Sequence, residues 1–166
     1  DAFVVSDGDI GCYSRPETGN HILIGSEDPE CDERIFVDPD NWDENFTDQW
    51  QTQVLRQAQR YPDLPISNNV KGVVSLYDVT DDWIPIYDKS DLPGFYMAIG
   101  TSGNQFKNAP VAGVLMSELI EYCENGNNHD KEPLKINLKY INKDINLKFY
   151  SRNRQINEES SMSVLG

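Results

Sequence analysis

The tightest constraint on this chain is a stretch that passes from apolar to small to apolar again between residues 92 and 123. Leu92-Pro-Gly-Phe-Tyr-Met-Ala-Ile-Gly100 leads into Thr101-Ser-Gly-Asn-Gln-Phe-Lys-Asn108, then into Ala109-Pro-Val-Ala-Gly-Val-Leu-Met-Ser-Glu-Leu-Ile-Glu-Tyr-Cys123. That order predicts a strand, a tight loop and an amphipathic helix, with Pro110 suited to the first helical turn. Gly100 and Gly103 permit backbone conformations that a side chain would block. They leave peptide N–H groups to face a ligand beside the positive end of the helix. Such a loop can hold partial negative charge, and Lys107 adds an ammonium close by. On these residues alone two readings stay open, because two glycines often serve a plain connection and a lysine is often simply solvated.

The rest of the pattern predicts an α+β fold, mainly antiparallel sheet with two principal helices. Ile10–Arg15 and His21–Gly25 read as a hairpin around the turn residues Pro16–Asn20. Residues 26 to 45 are rich in Asp, Glu, Pro and Asn and predict an exposed loop, without the spacing of a calcium loop. Thr47 and Asp48 can cap a helix running to about Arg60, with Phe46, Trp50, Val54 and Ala58 as its core stripe. Val70–Asp78 reads as a strand and Trp83–Tyr87 as an edge or irregular segment because of Pro85, with Asp81-Asp82 as a turn. Residues 13–25 and 70–87 are expected to pair in one sheet. Beyond His129, alternation at Ile136, Leu138 and Tyr140 and at Ile145, Leu147 and Phe149 predicts a hairpin or an extended arm.

Charge and composition exclude several functions. A chain of 166 residues suits one domain. Its net charge of -14 would repel a phosphate backbone, which argues against nucleic acid as a partner. Residues 1 to 130 hold 24 Asp and Glu against 7 Lys and Arg, and residues 131 to 166 reverse this to 4 against 7. A solvated face is the ordinary reading of such a basic tail; packing back on the acidic body or meeting a partner chain are the others. Cys12, Cys31 and Cys123 form no metal-binding pattern and read as free thiols of a reducing compartment. Two histidines, His21 and His129, give little material for a triad or a multi-histidine metal site. No apolar run is long enough for a membrane span, and no signal peptide is legible.

Linked in this order, Val73-Val-Ser-Leu-Tyr-Asp-Val-Thr-Asp-Asp-Trp-Ile-Pro-Ile86, Leu92 to Lys107 and Ala109-Pro-Val-Ala-Gly113 resemble the C-terminal region of the sarcosine oxidase, dimethylglycine dehydrogenase and D-amino-acid oxidase superfamily. Tyr13-Ser-Arg-Pro-Glu17 with Ile22-Leu-Ile-Gly25 is similar to that superfamily's substrate-domain hairpin. The resemblance implies FAD as cofactor and oxidation of a secondary or tertiary amine or an amino acid. It implies Gly100, Ser102, Gly103, Asn104, Gln105, Phe106 and Lys107 as residues lining the flavin, Lys107 as the partner of a substrate carboxylate, and Tyr77 as the side chain approaching the substrate. Ser75 stands where some relatives carry a flavin-tethering cysteine, so non-covalent flavin is expected there. Asn104-Gln105 replaces the relatives' His-Gly, and Arg15 reads as a brace of the hairpin.

No Gly-x-Gly-x-x-Gly turn for the ADP part of FAD occurs in the sequence. The expectation is therefore a fragment of a two-domain flavoprotein whose missing N-terminal half or partner chain supplies that part. Residues 1–90 would belong to a substrate-binding domain, 91–125 to the strand-loop-helix returning to the FAD domain, and 126–166 to a C-terminal arm. Phe149–Arg154 and Ser160–Gly166 resemble the C-terminal signature of a subset of these oxidoreductases. Cytoplasm or mitochondrial matrix is the expected compartment. The competing functions are oxidation of a 2-hydroxy acid on the same scaffold and a non-catalytic acidic binding module.

Overall fold

A computed structural model describes residues 3–68, 71–103 and 105–162. The fold is α+β, with two α-helices and three small antiparallel sheets among the described residues. The chain divides into two compact units, Asp1–Leu76 and Tyr77–Gly166.

The first unit is built on the sheet β1 (Val5–Asp7), β2 (Cys12–Glu17) and β3 (His21–Ser26), with β2 in the middle. The β2–β3 hairpin is the expected one; Arg15, expected to brace it, pairs at 2.7 Å with Glu17 of its own strand, an exposed contact that does not cross to β3. Alternation along β2 buries Cys12 and Ser14 on one face. Helix α1 (Asp48–Ala58) packs on β2 and β3, where the Cys12 thiol points at the Gln53 carbonyl at 3.8 Å. Trp50, Val54 and Ala58 lie on its partly buried side, and Gln57 is its most buried residue. The stretch expected as an exposed loop also supplies an anchor. Asp32 receives two hydrogen bonds from the Arg56 guanidinium, at 2.7 and 2.8 Å, and its carboxyl is held below the usual range by them.

The second unit pairs β4 (Ile86–Lys89) with β5 (Tyr96–Ile99), Tyr87 opposite Ala98. Helix α2 (Ala109–Glu124) packs on both strands, with Pro110 in its first turn as expected. The predicted C-terminal hairpin is β6 (Lys135–Leu138) and β7 (Lys143–Asn146), running into a 3₁₀ turn at Leu147–Tyr150. Leu115 and Leu119, one helical turn apart, meet Tyr87, Ile136 and Leu147 in a closed core. Residues on both sides of positions 90 and 125 contribute to this core. Residues 134–150 thus fold inward as part of the unit rather than extending as an arm.

Two expectations for the middle of the chain are corrected. Residues 71–80 form no strand, and Val70 lies outside the described residues. β2 pairs with β1 and β3, while β4 pairs with β5, so residues 13–25 and 70–87 do not share a sheet. β-branched composition favours a pleated surface only where a neighbouring strand completes its hydrogen bonds, and residues 71–80 have no such partner.

The basic tail splits by residue type. Its lysines, Lys131, Lys135, Lys139, Lys143 and Lys148, are exposed. Its arginines are seated. Arg154 donates to both oxygens of Asp82, at 2.9 and 2.5 Å, and to the Ile84 carbonyl at 2.7 Å. Arg152 reaches Asp88, Asp91 and Asp130, at 3.2, 2.6 and 2.8 Å. A planar guanidinium can fork onto two oxygens where an ammonium cannot. Asp82 and Asp88 are completely buried. The Arg154 hydrogen bonds hold the Asp82 carboxyl far below its usual range, and Arg152 with Lys89 brings Asp130 down to about 2.

His129 is equally buried beside them. Its Nδ1 accepts the Leu134 N–H at 3.2 Å, so the ring proton resides on Nε2. Nε2 lies 3.8 Å from Asp88 Oδ1, too far for a hydrogen bond. Asp88, Asp130, Lys89, Arg152 and the Tyr122 ring face it, and burial pushes its pKa down from 6.5.

Removing Arg154 leaves Asp82 buried and uncompensated. Arg154→Ala is expected to destabilise the second unit by about 3 kcal/mol, read as faster hydrogen exchange of α2 amides, while Lys139→Ala changes it by no more than about 0.5 kcal/mol. For His129, a depressed folded-state pKa means that the unfolded chain takes up the proton first as pH falls. Its contribution is complete above the ordinary value and declines below it. Denaturation midpoints measured from about pH 7.5 to about pH 5.5 are expected to fall in the wild type and to lose that part of the slope in His129→Gln.

Candidate functional site

The loop after β5 is shaped by three residues in left-handed conformation, Gly100 (φ +70), Ser102 (φ +49) and Gly103 (φ +78). It runs into a 3₁₀ turn at Gln105–Asn108 and then into α2. Glycine is required at two of these places by close approach as well as by φ. A Cβ on Gly100 would stand 2.4 Å from the Thr80 methyl, and one on Gly103 would stand 2.9 Å from the Tyr77 ring. The two glycines thus let the loop close onto residues 77–80.

Asp78 occupies the concave side of the loop. Its carboxylate accepts the Gly100 N–H at 2.8 Å and the Thr101 hydroxyl, and its carbonyl accepts the Ser102 N–H at 3.0 Å. Burial pushes its pKa up, but the hydrogen bonds from Thr101 and Gly100 outweigh that and hold it below the usual range. Successive N–H groups around a left-handed turn form an anion-binding nest. Here the anion they meet belongs to the chain. The Gly100 and Ser102 donors, expected from the sequence to face a ligand, point at Asp78.

The remaining candidates divide into held and presented groups. Ser102 is fully buried, its hydroxyl on the Gly100 carbonyl at 3.2 Å. Gln105 accepts the hydroxyl of core residue Tyr87 at 3.0 Å and the Asn108 amide at 3.1 Å. Phe106 is 97% exposed and Tyr77 60% exposed. Lys107 is exposed, and among the described residues no carboxylate pairs with it. Asn104 lies outside the described residues. Ser75 is exposed and belongs to the first unit. Among the described residues no group of three His, Cys, Asp or Glu could hold a metal ion, and no helix is long and apolar enough to cross a membrane.

Sequence reasoning missed Asp78 and Tyr87, whose roles arise across 22 and 18 residues of separation. It also missed Asp82 as the seat of Arg154, for which the only advance signal was the reversal of charge in the tail.

Residues 1–119 match the protein-family model described as FAD dependent oxidoreductase. The chain belongs to that family. The match takes in the Gly100–Lys107 loop and ends inside α2, so the hairpin and the two seated arginines lie beyond it. No curated protein and no solved structure matches the chain.

The FAD dependent oxidoreductase family binds FAD, and the chemistry of the presented groups fits the ring end of that cofactor. Exposed Phe106 and Tyr77 offer apolar rings, and Lys107 offers an unpaired ammonium to an electron-rich edge. The pyrophosphate has no equivalent fit, because the sequence lacks the glycine turn that would receive it.

Gly103→Ala is expected to cost about 1 to 2 kcal/mol from backbone strain. Gly100→Ala is expected to cost more, since a methyl contact at 2.4 Å adds to it. Thr80→Ser removes that methyl while keeping the hydroxyl on Asp82 and Ile84. The Gly100→Ala, Thr80→Ser pair should therefore melt at higher temperature than Gly100→Ala alone.

Proposed function

We propose that this FAD dependent oxidoreductase chain belongs to an enzyme that oxidises the C–N bond of a secondary or tertiary amine or an amino acid, with Lys107 receiving the substrate carboxylate. The observation that carries this reading is the position of Lys107. Among the described residues the exposed lysines of the tail also lack a carboxylate partner, so the missing partner alone does not set Lys107 apart. Lys107 stands at the end of the left-handed loop and just ahead of the α2 N-terminus, where both the charge and the helix favour an anion.

When bound, FAD supplies the acceptor for the hydride leaving the substrate carbon. The chain's own part is to bind and orient. Lys107 would fix the carboxylate end of the substrate, and Tyr77, its ring against Gly103, would form an apolar wall that limits the substrate's rotation. Gly103 and Phe106 would lie along the flavin ring, with Gly100, Ser102 and Gln105 holding the shape of the loop from inside. Asn104 would complete that lining. The ADP part of FAD would be held by a further segment or a partner chain. Three free thiols suit cytoplasm or mitochondrial matrix.

The test uses FAD-loaded protein containing this chain, mixed without oxygen with an N-methylated amino acid. Bleaching of the flavin absorbance is expected, and bleaching by 2-hydroxy acids alone would replace the amine assignment. Lys107→Met should weaken binding of carboxylate substrates about ten- to a hundredfold, the worth of one charge-assisted contact. Matched amines without a carboxylate should be unaffected. An equal loss for both, with slower reduction at saturation, would assign Lys107 to the flavin instead.

A further inference from the structure

Asp78 has no part in the reading above, yet its carboxylate and main-chain carbonyl together hold three consecutive residues of the loop. Its carboxylate takes the Gly100 N–H at 2.8 Å and the Thr101 hydroxyl, and its carbonyl takes the Ser102 N–H at 3.0 Å. These three consecutive residues include two in left-handed conformation, one of them the non-glycine Ser102. A serine there is strained unless its surroundings fix it. The far end of the loop is held separately, by Tyr87 on Gln105 at 3.0 Å.

We propose that Asp78 is a positioning residue, which sets the Gly100–Ser102 backbone by drawing its donors inward so that Gly103, Phe106, Lys107 and the Tyr77 ring form the presented face. The ligand half of this assignment rests on the reading of that face as the flavin-contacting surface. A carboxylate suits the task because it accepts on both oxygens and donates on neither. Asparagine would keep one acceptor and turn an amide toward one of the donors. Asp78 also adjoins Tyr77 in sequence, so the residue that fixes the loop also fixes the start of the segment carrying the exposed ring.

The experiment compares wild type, Asp78→Asn and Asp78→Ala in two measurements. Hydrogen exchange on the full chain reads the Gly100 and Ser102 amides against α2 amides such as Leu115 and Leu119. Exchange at Gly100, whose amide bonds the side chain, should accelerate about tenfold in the alanine variant and less in the asparagine variant, with α2 unchanged; Ser102, held by the Asp78 main-chain carbonyl that every variant keeps, should follow only as far as the loop backbone relaxes. If alanine also loosens α2, the isosteric asparagine variant carries the comparison. The second measurement is FAD affinity and the visible spectrum of bound flavin in FAD-loaded protein containing this chain. Affinity should fall about tenfold and the flavin bands should shift, a signature that a residue supporting only the fold would not produce.

Unchanged exchange at both loop amides in both variants would overturn the positioning role while leaving the flavin reading of the face intact. Faster loop exchange with unaltered flavin affinity and spectrum would do the reverse: Asp78 would still set the loop, and the face would not be the one that meets flavin.

Discussion

A carboxylate taken out of water must be given donors, and the second unit is organised around that requirement. Asp82 and Asp88 have no solvent contact to speak of. Each receives a guanidinium from the tail, Arg154 on Asp82 and Arg152 on Asp88, together with backbone N–H groups. Without those arginines the turn before β4 and the strand itself would hold buried charge with nothing to balance it. The hairpin and 3₁₀ turn that carry the tail are in turn fixed by Ile136 and Leu147 in the core with Leu115 and Leu119. Burial of apolar side chains thus brings the arginines to the right place, and the arginines make burial of the aspartates tolerable.

The same requirement, met differently, shapes the loop. Asp78 is satisfied by the loop's own N–H groups and a hydroxyl, with no cation. Among the described residues that leaves Lys107, the one lysine of the loop, without a carboxylate, in a protein where acid outnumbers base two to one. A nest that already contains an internal anion does not offer the same donors to a ligand. The attraction for an outside anion passes to Lys107 and the α2 N-terminus, and the apolar contacts pass to Tyr77 and Phe106. Family membership supplies the reason to expect a flavin, and the proposed site puts it on the presented side of the loop.

Periodicity and turn chemistry were enough to find the β2–β3 hairpin, α1 after Thr47, the β5–loop–α2 run with Pro110 in the first turn, and the β6–β7 hairpin. Each of those patterns is local, resting on side chains a few residues apart or on conformations that glycine and proline dictate by themselves. The resemblance in residues 73–113 also pointed to the FAD dependent oxidoreductase family from side chains that lie close in sequence. What local pattern misjudged was residues 71–80, where β-branched composition looked like a strand. Strand formation depends on a neighbour to hydrogen-bond with, and composition carries no record of whether that neighbour exists.

By itself, then, the sequence determined most of the elements, the left-handed turn that Gly100 and Gly103 make possible, and the family. Tertiary structure decided which way the loop's donors point, which of the tail's cations are seated and which are solvated, and that Asp78, Asp82 and Asp88 each have a distinct partner. The physical reason is that hydrogen bonds and ion pairs are settled by distance in space. Asp82 and Arg154 are 72 residues apart along the chain and 2.5 Å apart in the fold, and no local pattern links one to the other.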